Sequence, residues 1–219
     1  MKYFETLPKV SSIDYSGNKI VLTNLMVRSE IVPSLLKNPL LFYSYDIKDS
    51  DSPEIIAAKY YGDVYRYWIV LFANQIIDPQ WDWPMNANLF TTYIKNKYTP
   101  DCATFYNISE SSVTTAQILS YTQSQIKYYV KSVATIDNST NKKNILNYRV
   151  DFDEYQTTQE DTIVRTFTTG AQVTQTVSKY TETIYDYEMN LNESRRSIFL
   201  VNATYVSEFE KQFYNLMKI

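Results

Sequence analysis

The side chains that could carry out catalysis form an incomplete set in this chain of 219 residues. The sequence contains no histidine, which excludes Ser–His and Cys–His nucleophile pairs as well as zinc sites with imidazole ligands. The single cysteine, Cys102, therefore has no histidine to activate it, and we interpret it as an ordinary small residue. The three glycines, Gly17, Gly62 and Gly170, are too far apart to form a phosphate-binding loop.

Carboxylates are the remaining candidates, because a pair of them can donate and accept protons in acid–base catalysis. Asp49 and Asp51 form one such pair, and Asp151 and Asp153 form another. Both pairs lie in polar stretches typical of loops or strands, where we interpret them as solvated surface residues. We therefore expect a protein that is not an enzyme and that holds no metal ion or cofactor.

The overall composition argues against nucleic acid and membranes as partners. The formal net charge is −3 and the sequence pI is near 5.1, whereas a general nucleic-acid-binding protein has a basic face. No apolar run approaches the ~20 residues of a membrane span, and residues 1–10 lack the apolar region of a signal peptide. One cysteine also fits a reducing cytosol. We therefore expect partners other than nucleic acid or a membrane.

The elements that would position a site begin with two helices joined by a tight turn. Ser52 followed by Pro53 is typical of an N-cap with proline at the first helical position, where its missing N–H has no cost. Gly62 predicts a left-handed residue that ends this helix, and Asp63 predicts the N-cap of the next one. The sequence therefore predicts a helix–turn–helix over residues 52–74.

The second of these helices, predicted for residues 64–74, is apolar on nearly every side, and such a helix is normally buried all round. One stripe at helical spacing contains Trp68, which we assign to the core. A second stripe must be covered either by the rest of the chain or by a partner, so we treat its members as a candidate interface. These residues are Val64, Tyr67 and Leu71.

Two tryptophans follow this helix. Asp78 and Pro79 predict a turn, and Trp81 and Trp83 come directly after it, two positions apart. In an extended segment two such rings point to the same side, and Pro84 makes the segment a poor central strand. We therefore expect an edge segment or a loop in which a partner chain covers at least one of the two rings.

Composition divides the chain into three parts, which together predict an α+β fold. Residues 1–98 contain the helix–turn–helix. Residues 99–183 are richer in Ser, Thr, Asn and Gln, and their alternating β-branched residues predict a β-rich segment. Residues 184–219 return to helix, with Thr204 as the predicted N-cap before an apolar stripe. The stripe consists of Val206, Phe209, Phe213 and Leu216.

Two stretches of the sequence resemble a known family. Residues 45–84, YDIKDSDSPEIIAAKYYGDVYRYWIVLFANQIIDPQWDWP, resemble a LysM-type βααβ unit, and they are more closely similar to the LysM-like baseplate wedge subunit family of contractile-tailed (myovirus-type) bacteriophages. Residues 187–218 resemble the end of that family, where Leu-Asn-Glu precedes basic residues and a closing helix. The first stretch matches the family pattern at Tyr61, Gly62, Asp63, Tyr67, Trp68, Val70, Leu71, Asn74, Asp78, Pro79, Trp81 and Trp83.

The resemblance implies an α+β fold with a LysM-like βααβ unit at about residues 41–98 and a C-terminal helical segment. The β-rich middle has no such resemblance, and we interpret it as an insertion or a second domain. The residues with an implied structural role are Ser52, Pro53, Gly62, Asp63, Trp68, Asn74, Asp78 and Pro79.

The resemblance also implies a function, that of a structural component of the virion's tail baseplate, present in several copies and assembled in the host cytoplasm. Such a protein joins neighbouring wedge subunits around the central hub, so its partners are other wedge and hub proteins. The composition agrees, because interface cores are enriched in aromatic residues and the chain has 21 Tyr, 10 Phe and 3 Trp.

The alternative function is that of a LysM-type module that binds peptidoglycan or chitin oligosaccharides by stacking sugars on aromatic rings. Modules of this kind are usually exported, often repeated and attached to a hydrolase or an anchor. The sequence shows none of these features, so it favours assembly over glycan binding.

Overall fold

The computed structural model of the chain describes residues 3–27, 31, 38 and 40–217. The chain forms two compact units, residues 1–87 together with 192–219 (the first unit) and residues 88–191 (the second unit). Helices and strands occur in both, which confirms the α+β class. The three-part division of the chain predicted from composition stays a prediction. No helix among the described residues is both long and apolar enough to cross a membrane.

Elements are numbered in chain order among the described residues. The helices are α1 (Tyr3–Thr6), α2 (Pro53–Tyr61), α3 (Tyr67–Ala73), α4 (Pro79–Asp82), α5 (Ala87–Tyr106), α6 (Thr115–Ser124), α7 (Phe152–Thr157), α8 (Ile184–Ser194) and α9 (Val206–Met217), with 3-10 turns at Val64–Arg66, Glu110–Ser112 and Ala203–Tyr205. The strands are β1 (Lys9–Ile13), β2 (Lys19–Thr23), β3 (Phe42–Asp46), β4 (Ile126–Asp137), β5 (Lys142–Val150), β6 (Asp161–Thr166), β7 (Gln172–Thr183) and β8 (Ser197–Val201). They form three antiparallel sheets, ordered β1-β2, β3-β8 and β5-β4-β7-β6.

The core of the first unit is closed by a strand from near the end of the chain. β3 pairs with β8 so that Phe42 lies opposite Val201 and Asp46 lies opposite Ser197. Residues 47–125 contain helices and turns but no strand, so the predicted βααβ order arises only when β8 is counted as its last strand. The expectation that residues 41–98 contain a strand–helix–helix–strand unit is therefore wrong as to the last strand. The likeness to LysM itself stays a prediction.

The C-terminal helix α9 covers the apolar helix α3. Trp68 is only 4% exposed, and its ring centroid lies 4.7 Å from that of Phe213 on α9. Phe72 lies 5.3 Å from the same ring and 6.1 Å from the ring of Phe209. An apolar helix needs cover on every side, and the end of the chain supplies much of it here.

The turn between α2 and α3 contains the backbone features that its sequence predicts. The Ser52 hydroxyl accepts a hydrogen bond from the N–H of Ile55, and Pro53 begins the helix. Gly62 has φ +68°, in the left-handed region, and the Asp63 carboxylate accepts from the N–H of Tyr65 at 2.9 Å.

The helix predicted for residues 64–74 is divided in two. A 3-10 turn at Val64–Arg66 precedes α3, because the N–H of Arg66 donates to the carbonyl of Asp63, three residues before it. The prediction of one continuous helix is therefore wrong over its first turn.

The second unit contains the four-stranded sheet and several helices. Residues 99–106 continue α5 and residues 115–124 form α6, so the first part of the segment predicted to be β-rich is helical. A capping box begins α6, in which Thr114 and Gln117 bond to each other's backbone N–H. The Ser- and Thr-rich composition before α6 thus marks a helix start rather than strands. The long strands that the composition predicts begin at Ile126.

A buried carboxylate connects three elements of the second unit. Glu188 on α8 is 2% exposed and accepts hydrogen bonds from Tyr98 at 2.6 Å and Lys97 at 2.9 Å, both on α5. Lys127 on β4 lies 3.4 Å from the same oxygen, and Tyr93 donates to the other oxygen at 3.1 Å. Burial alone would raise the pKa of Glu188, but the bonds from Tyr98 and Lys97 outweigh it and lower the pKa.

The turn at Gly62 gives a first prediction. Apart from its chain neighbours, a Cβ atom at this position would meet no atom within 4 Å, so backbone strain is the main expected cost of a side chain there. Gly62→Val should reduce the free energy of unfolding by about 1–2 kcal/mol, because a β-branched residue is unfavourable at positive φ. Gly62→Asn is the matched control and should lose less, since asparagine tolerates this conformation. Equal urea midpoints for wild type and Gly62→Val would contradict this prediction.

A second prediction concerns acid stability. Because the folded-state pKa of Glu188 is lowered, its stabilisation is present above the unfolded pKa of about 4.3 and is lost as the pH falls through the folded pKa. Glu188→Gln should cost about 2–4 kcal/mol at pH 7, below the full value for a buried pair because Lys97 is partly exposed.

Urea unfolding of wild type and Glu188→Gln from pH 7 to pH 3 measures this dependence. The difference between the two proteins should shrink as the pH falls below about 4. Glu208→Gln, which removes a carboxylate from an exposed 3.9 Å ion pair with Lys211, is the control and should show a small difference at every pH. A difference for Glu188→Gln that does not change with pH would rule out this role.

Candidate functional site

The segment that contains the two tryptophans begins with a short helix. The Asp78 carboxylate accepts from the N–H of Gln80 at 3.0 Å, and Pro79 is the first helical residue of α4. Trp81 is therefore helical, and the prediction that Trp81 and Trp83 lie on one side of an extended segment is wrong. Asp-Pro marks an N-cap followed by a helix here, the same signal that Ser-Pro gives at α2.

The two tryptophans have different environments. Trp83 is partly buried against the core of the first unit, and its indole N–H donates to the carbonyl of Asp51 at 3.1 Å. Trp81 is 62% exposed. Of the two tryptophans, Trp81 is therefore the one that presents a largely exposed ring to a partner.

Residues 192–196 (the segment near residue 195) bond to residues 78–85, the segment that contains the two tryptophans (the tryptophan segment). Asn192 accepts from the N–H of Met85 at 2.7 Å and donates to its carbonyl at 3.0 Å. Arg195 donates to the carbonyl of Trp81. Arg196 donates to the carbonyls of Ile47 and Met85 at 3.2 Å and 3.4 Å. The two stretches that carried the family resemblance are thus in direct contact, although more than 100 residues separate them in the sequence.

Arg196 is further fixed by two carboxylates. It forms ion pairs with Glu193 at 2.7 Å and Asp49 at 2.8 Å. The hydrogen bond to Glu193 and the one to Asp49 raise the pKa of Arg196 despite its partial burial. This guanidinium makes hydrogen bonds in several directions, which a lysine ammonium cannot reproduce with the same geometry.

The carboxylate pairs that could have served acid–base chemistry have structural partners instead. Asp51 is 6% exposed, so its interpretation as a solvated residue is wrong. It accepts hydrogen bonds from Tyr45 at 2.6 Å, Lys59 at 2.7 Å and the N–H of Lys48 at 3.1 Å. Burial would raise the pKa of Asp51, but the bonds from Lys59 and Tyr45 outweigh it and lower the pKa. A carboxylate held ionised in this way is a poor proton donor.

The second carboxylate pair is exposed. Asp151 caps α7 by accepting from the N–H of Glu154 at 2.7 Å, and Asp153 lies in the first turn of that helix. Among the residues that the structure describes, no cluster of Cys, Asp or Glu side chains has the arrangement of a metal site.

Asn74 connects α3 to the outer edge of β8. Its side chain accepts from the N–H of Phe199 at 2.7 Å and donates to the carbonyl of Phe199 at 2.8 Å. It also donates to the carbonyl of Val70 at 2.8 Å. The side chain therefore takes the place of a neighbouring strand on this edge and satisfies both groups of one residue.

An open cleft of about 480 Å³ lies beside this edge. Its charged lining residues are Asp82 and Arg195, and Arg195 is the residue that holds the carbonyl of Trp81. The full lining consists of Ala73, Asn74, Gln75, Ile76, Asp82, Ser194, Arg195, Ser197, Ile198 and Phe199. An exposed aromatic ring and a cleft with both polar and apolar lining residues are thus supported by the same arginine.

The other candidate interface residues differ in exposure. Tyr67 is partly buried and packs against the core, and Leu71 is also partly buried. Val64 is 48% exposed. Most of this stripe is therefore covered within the chain, helped by Arg66, which forms an ion pair with Glu210 on α9 at 3.0 Å.

Sequence reasoning did not identify the residues that support the site. Asn192, Arg195 and Arg196 lie in a stretch that resembles the family, but their roles are not apparent from the sequence, because they bond to backbone carbonyls and amides far away in the chain. The signal that could have found them is the dense polar run NESRR directly before an apolar strand. The Glu188 cluster gives a weaker signal, since only the spacing of Tyr93 and Lys97 places two of its members on one helix face.

Comparison with known proteins identifies one family. Residues 36–219 match the family described as Base plate wedge protein 53. The matched range contains both the tryptophan segment and the segment near residue 195, and it also spans the four-stranded sheet. Residues 1–35, which include β1 and β2, lie outside it. No curated protein matches the chain.

The different environments of the two tryptophans give a third prediction. Trp83→Ala should lower the free energy of unfolding by about 2 kcal/mol or more, through lost packing and the lost bond to Asp51. Trp81→Ala, the matched control, should change it by less than about 0.5 kcal/mol, because an exposed ring contributes little to the fold. Urea denaturation of both variants measures the difference, and equal losses would show that Trp81 is also part of the core.

Proposed function

Because the chain belongs to the Base plate wedge protein 53 family, which has a structural role in the phage tail base plate, we propose that it joins neighbouring wedge subunits through protein–protein contacts around the central hub. Its partners are other wedge and hub proteins, each particle holds several copies, and assembly takes place in the host cytoplasm. It acts without catalysis, nucleic acid or membrane. The surface that carries this role is centred on Trp81.

The observation that carries the proposal is a large aromatic ring held outward on a rigid support. Trp81 is 62% exposed, yet its helix is capped by Asp78 and its carbonyl is held by Arg195. Tryptophan and arginine are enriched among the residues that dominate interface energies. A preorganised anchor loses little conformational entropy on binding, which favours affinity.

The surroundings of Trp81 have the mixed character of an interface. Ile77, four residues earlier, is 76% exposed and adds apolar surface. The cleft lined by Asp82 and Arg195 offers a carboxylate and a guanidinium for polar contacts. An apolar anchor with a polar rim is the usual anatomy of a protein–protein contact.

Glycan binding is the second candidate function. The observation that favours it is the same exposed ring of Trp81 beside the cleft. A sugar ring can stack on an exposed indole, and the adjacent cleft has polar groups that could bond to hydroxyls. Titration of the free protein with peptidoglycan fragments and chitin oligosaccharides, monitored by tryptophan fluorescence, tests this candidate. Saturable binding that is lost in Trp81→Ala would support it, and no response would remove it.

A fourth prediction tests the assembly role. Trp81→Ala should retain the circular dichroism spectrum and urea midpoint of the wild type but fail to enter tails when it complements a phage that lacks its own copy. Loss of an anchor of this kind costs about 2 kcal/mol or more, or about 30-fold in affinity. Quantitative mass spectrometry of purified tails measures the incorporation.

Leu216→Ala is the matched control, because Leu216 is 56% exposed in the same unit and lies on α9 rather than on α4. It should incorporate normally. Normal incorporation of Trp81→Ala would place the interface on another surface, whereas equal failure of both variants would show a general sensitivity of assembly to surface changes.

A further inference from the structure

The four-stranded sheet of the second unit ends in an unprotected edge strand. β6 is the last strand in the order β5-β4-β7-β6, and every one of its residues is exposed. It contains neither proline nor lysine, which are common means of blocking an edge, and its two charged residues, Asp161 and Arg165, lie on either side of an apolar centre. Ile163 and Val164 at its centre are 44% and 55% exposed. Such an edge is a template for pairing with another strand.

The hydrogen bonds between β6 and β7 show which backbone groups of β6 face away from the sheet. The N–H of Phe167 donates to the carbonyl of Ala171, which continues the register of β6 and β7 by one residue. Because bonded and non-bonded pairs alternate in an antiparallel ladder, Thr162, Val164 and Thr166 direct their N–H and C=O groups away from β7. The N–H of Thr162 reaches the carboxylate of Asp161 at 2.7 Å. The structure shows no partner within the described residues for the outward groups of Val164.

The opposite edge of the same sheet is different. β5 carries three cations and no anion, since its sequence is KKNILNYRV. Two copies of β5 side by side would bring like charges together, and like charges opposite one another are destabilising. β6 carries one acid and one base, Asp161 and Arg165, placed symmetrically about Ile163. The two edges therefore differ in their capacity to pair with themselves.

We propose that β6 is a self-complementary docking edge, which pairs antiparallel with β6 of a second copy of this chain. In the register centred on Ile163, Asp161 of each copy lies opposite Arg165 of the other, so two charge pairs form. Thr162 and Val164, whose backbone groups face outward, become hydrogen-bonded partners when the Thr162 N–H exchanges the Asp161 carboxylate of its own copy for the carbonyl of Val164 in the other. The result is one continuous eight-stranded sheet across a twofold axis, an isologous contact.

An alternative register, with the twofold axis at Val164, shows why the register centred on Ile163 is favoured. If the axis passed through Val164, Arg165 would lie opposite Ile163 and both charges would lose their partners. Opposite charges directly across two strands are favourable, so the two pairs formed only in the register centred on Ile163 favour that register. The proposal does not depend on the assembly role of Trp81, because it concerns two free copies of the chain.

Cysteine cross-linking is a direct test. In the proposed register Ile163 faces its own copy at a non-hydrogen-bonded position, where Cα atoms are about 4.5 Å apart and a disulfide can form. Purified Ile163→Cys protein should therefore become largely a disulfide-linked dimer under mild oxidation. Arg165→Cys is the matched control, because residue 165 of the two copies would be separated by about 14 Å. The native Cys102 is buried and does not contribute.

Charge reversal tests the same register without cysteines. Sedimentation velocity over micromolar to millimolar concentrations should show a wild-type dimer that Arg165→Asp weakens by about tenfold or more. Adding Asp161→Arg to that variant restores two opposite-charge pairs and should restore the dimer. Circular dichroism establishes that these exposed substitutions leave the fold intact.

Three outcomes would overturn the proposal. They are a wild-type protein that is monomeric at every concentration, equal cross-linking of Ile163→Cys and Arg165→Cys, and a double charge reversal that fails to restore the dimer. Each of these results can be obtained while the Trp81 variant still fails to enter tails, so the two proposals succeed or fail separately.

Discussion

The pairing of β3 with β8 is the contact on which the rest of the first unit depends. It joins residues 42–46 to residues 197–201 and so closes a loop of about 150 residues. The entropy cost of closing a loop rises only with the logarithm of its length, so the long excursion adds little to the cost. Once β8 is in place, the residues on either side of it are positioned. Arg195 and Arg196 meet the tryptophan segment, and α9 covers α3.

Hydrogen bonds and ion pairs of charged side chains set the relative positions of the elements within each unit. Apolar packing is not directional and would specify these positions less strictly. Asp51, Glu188 and Arg196 each bond to several groups from different parts of the chain. Burying such a charge is unfavourable unless its partners are all in place. The favourable arrangement is therefore restricted to one geometry. In these clusters the buried carboxylates and Arg196 connect elements that lie far apart in the sequence.

The exposed apolar surfaces at Trp81 and at the centre of β6 have different structural origins. Trp81 stands on a capped helix whose backbone is held by Arg195, so its exposure is a stable property of the fold. The centre of β6 is exposed because β6 is the last strand of its sheet among the described residues. A sheet of one layer cannot bury residues on both faces. Both surfaces are thus available for contact with other chains, as expected for a protein that functions inside a larger particle.

The sequence by itself determined part of the local structure, because local signals act over a few residues. Ser52 with Pro53 and Gly62 with Asp63 specify a helix start and a helix end through backbone bonds to their immediate neighbours. Asp78 with Pro79 begins a helix where the sequence predicted a turn. The absence of histidine determined which chemistry is excluded. The family resemblance also followed from the sequence, since it rests on these same short motifs.

Only the tertiary structure decided which strand completes the sheet of β3, which tryptophan faces solvent, and which carboxylates are buried. Trp81 and Trp83 have the same residue type and nearly the same position, and they differ because Asp51 and the core lie on one side of the segment. Asp51 and Asp49 differ for the same kind of reason, since Tyr45 and Lys59 converge on one of them. Burial depends on residues that are distant in the chain, and a local pattern contains no information about where those residues come to lie.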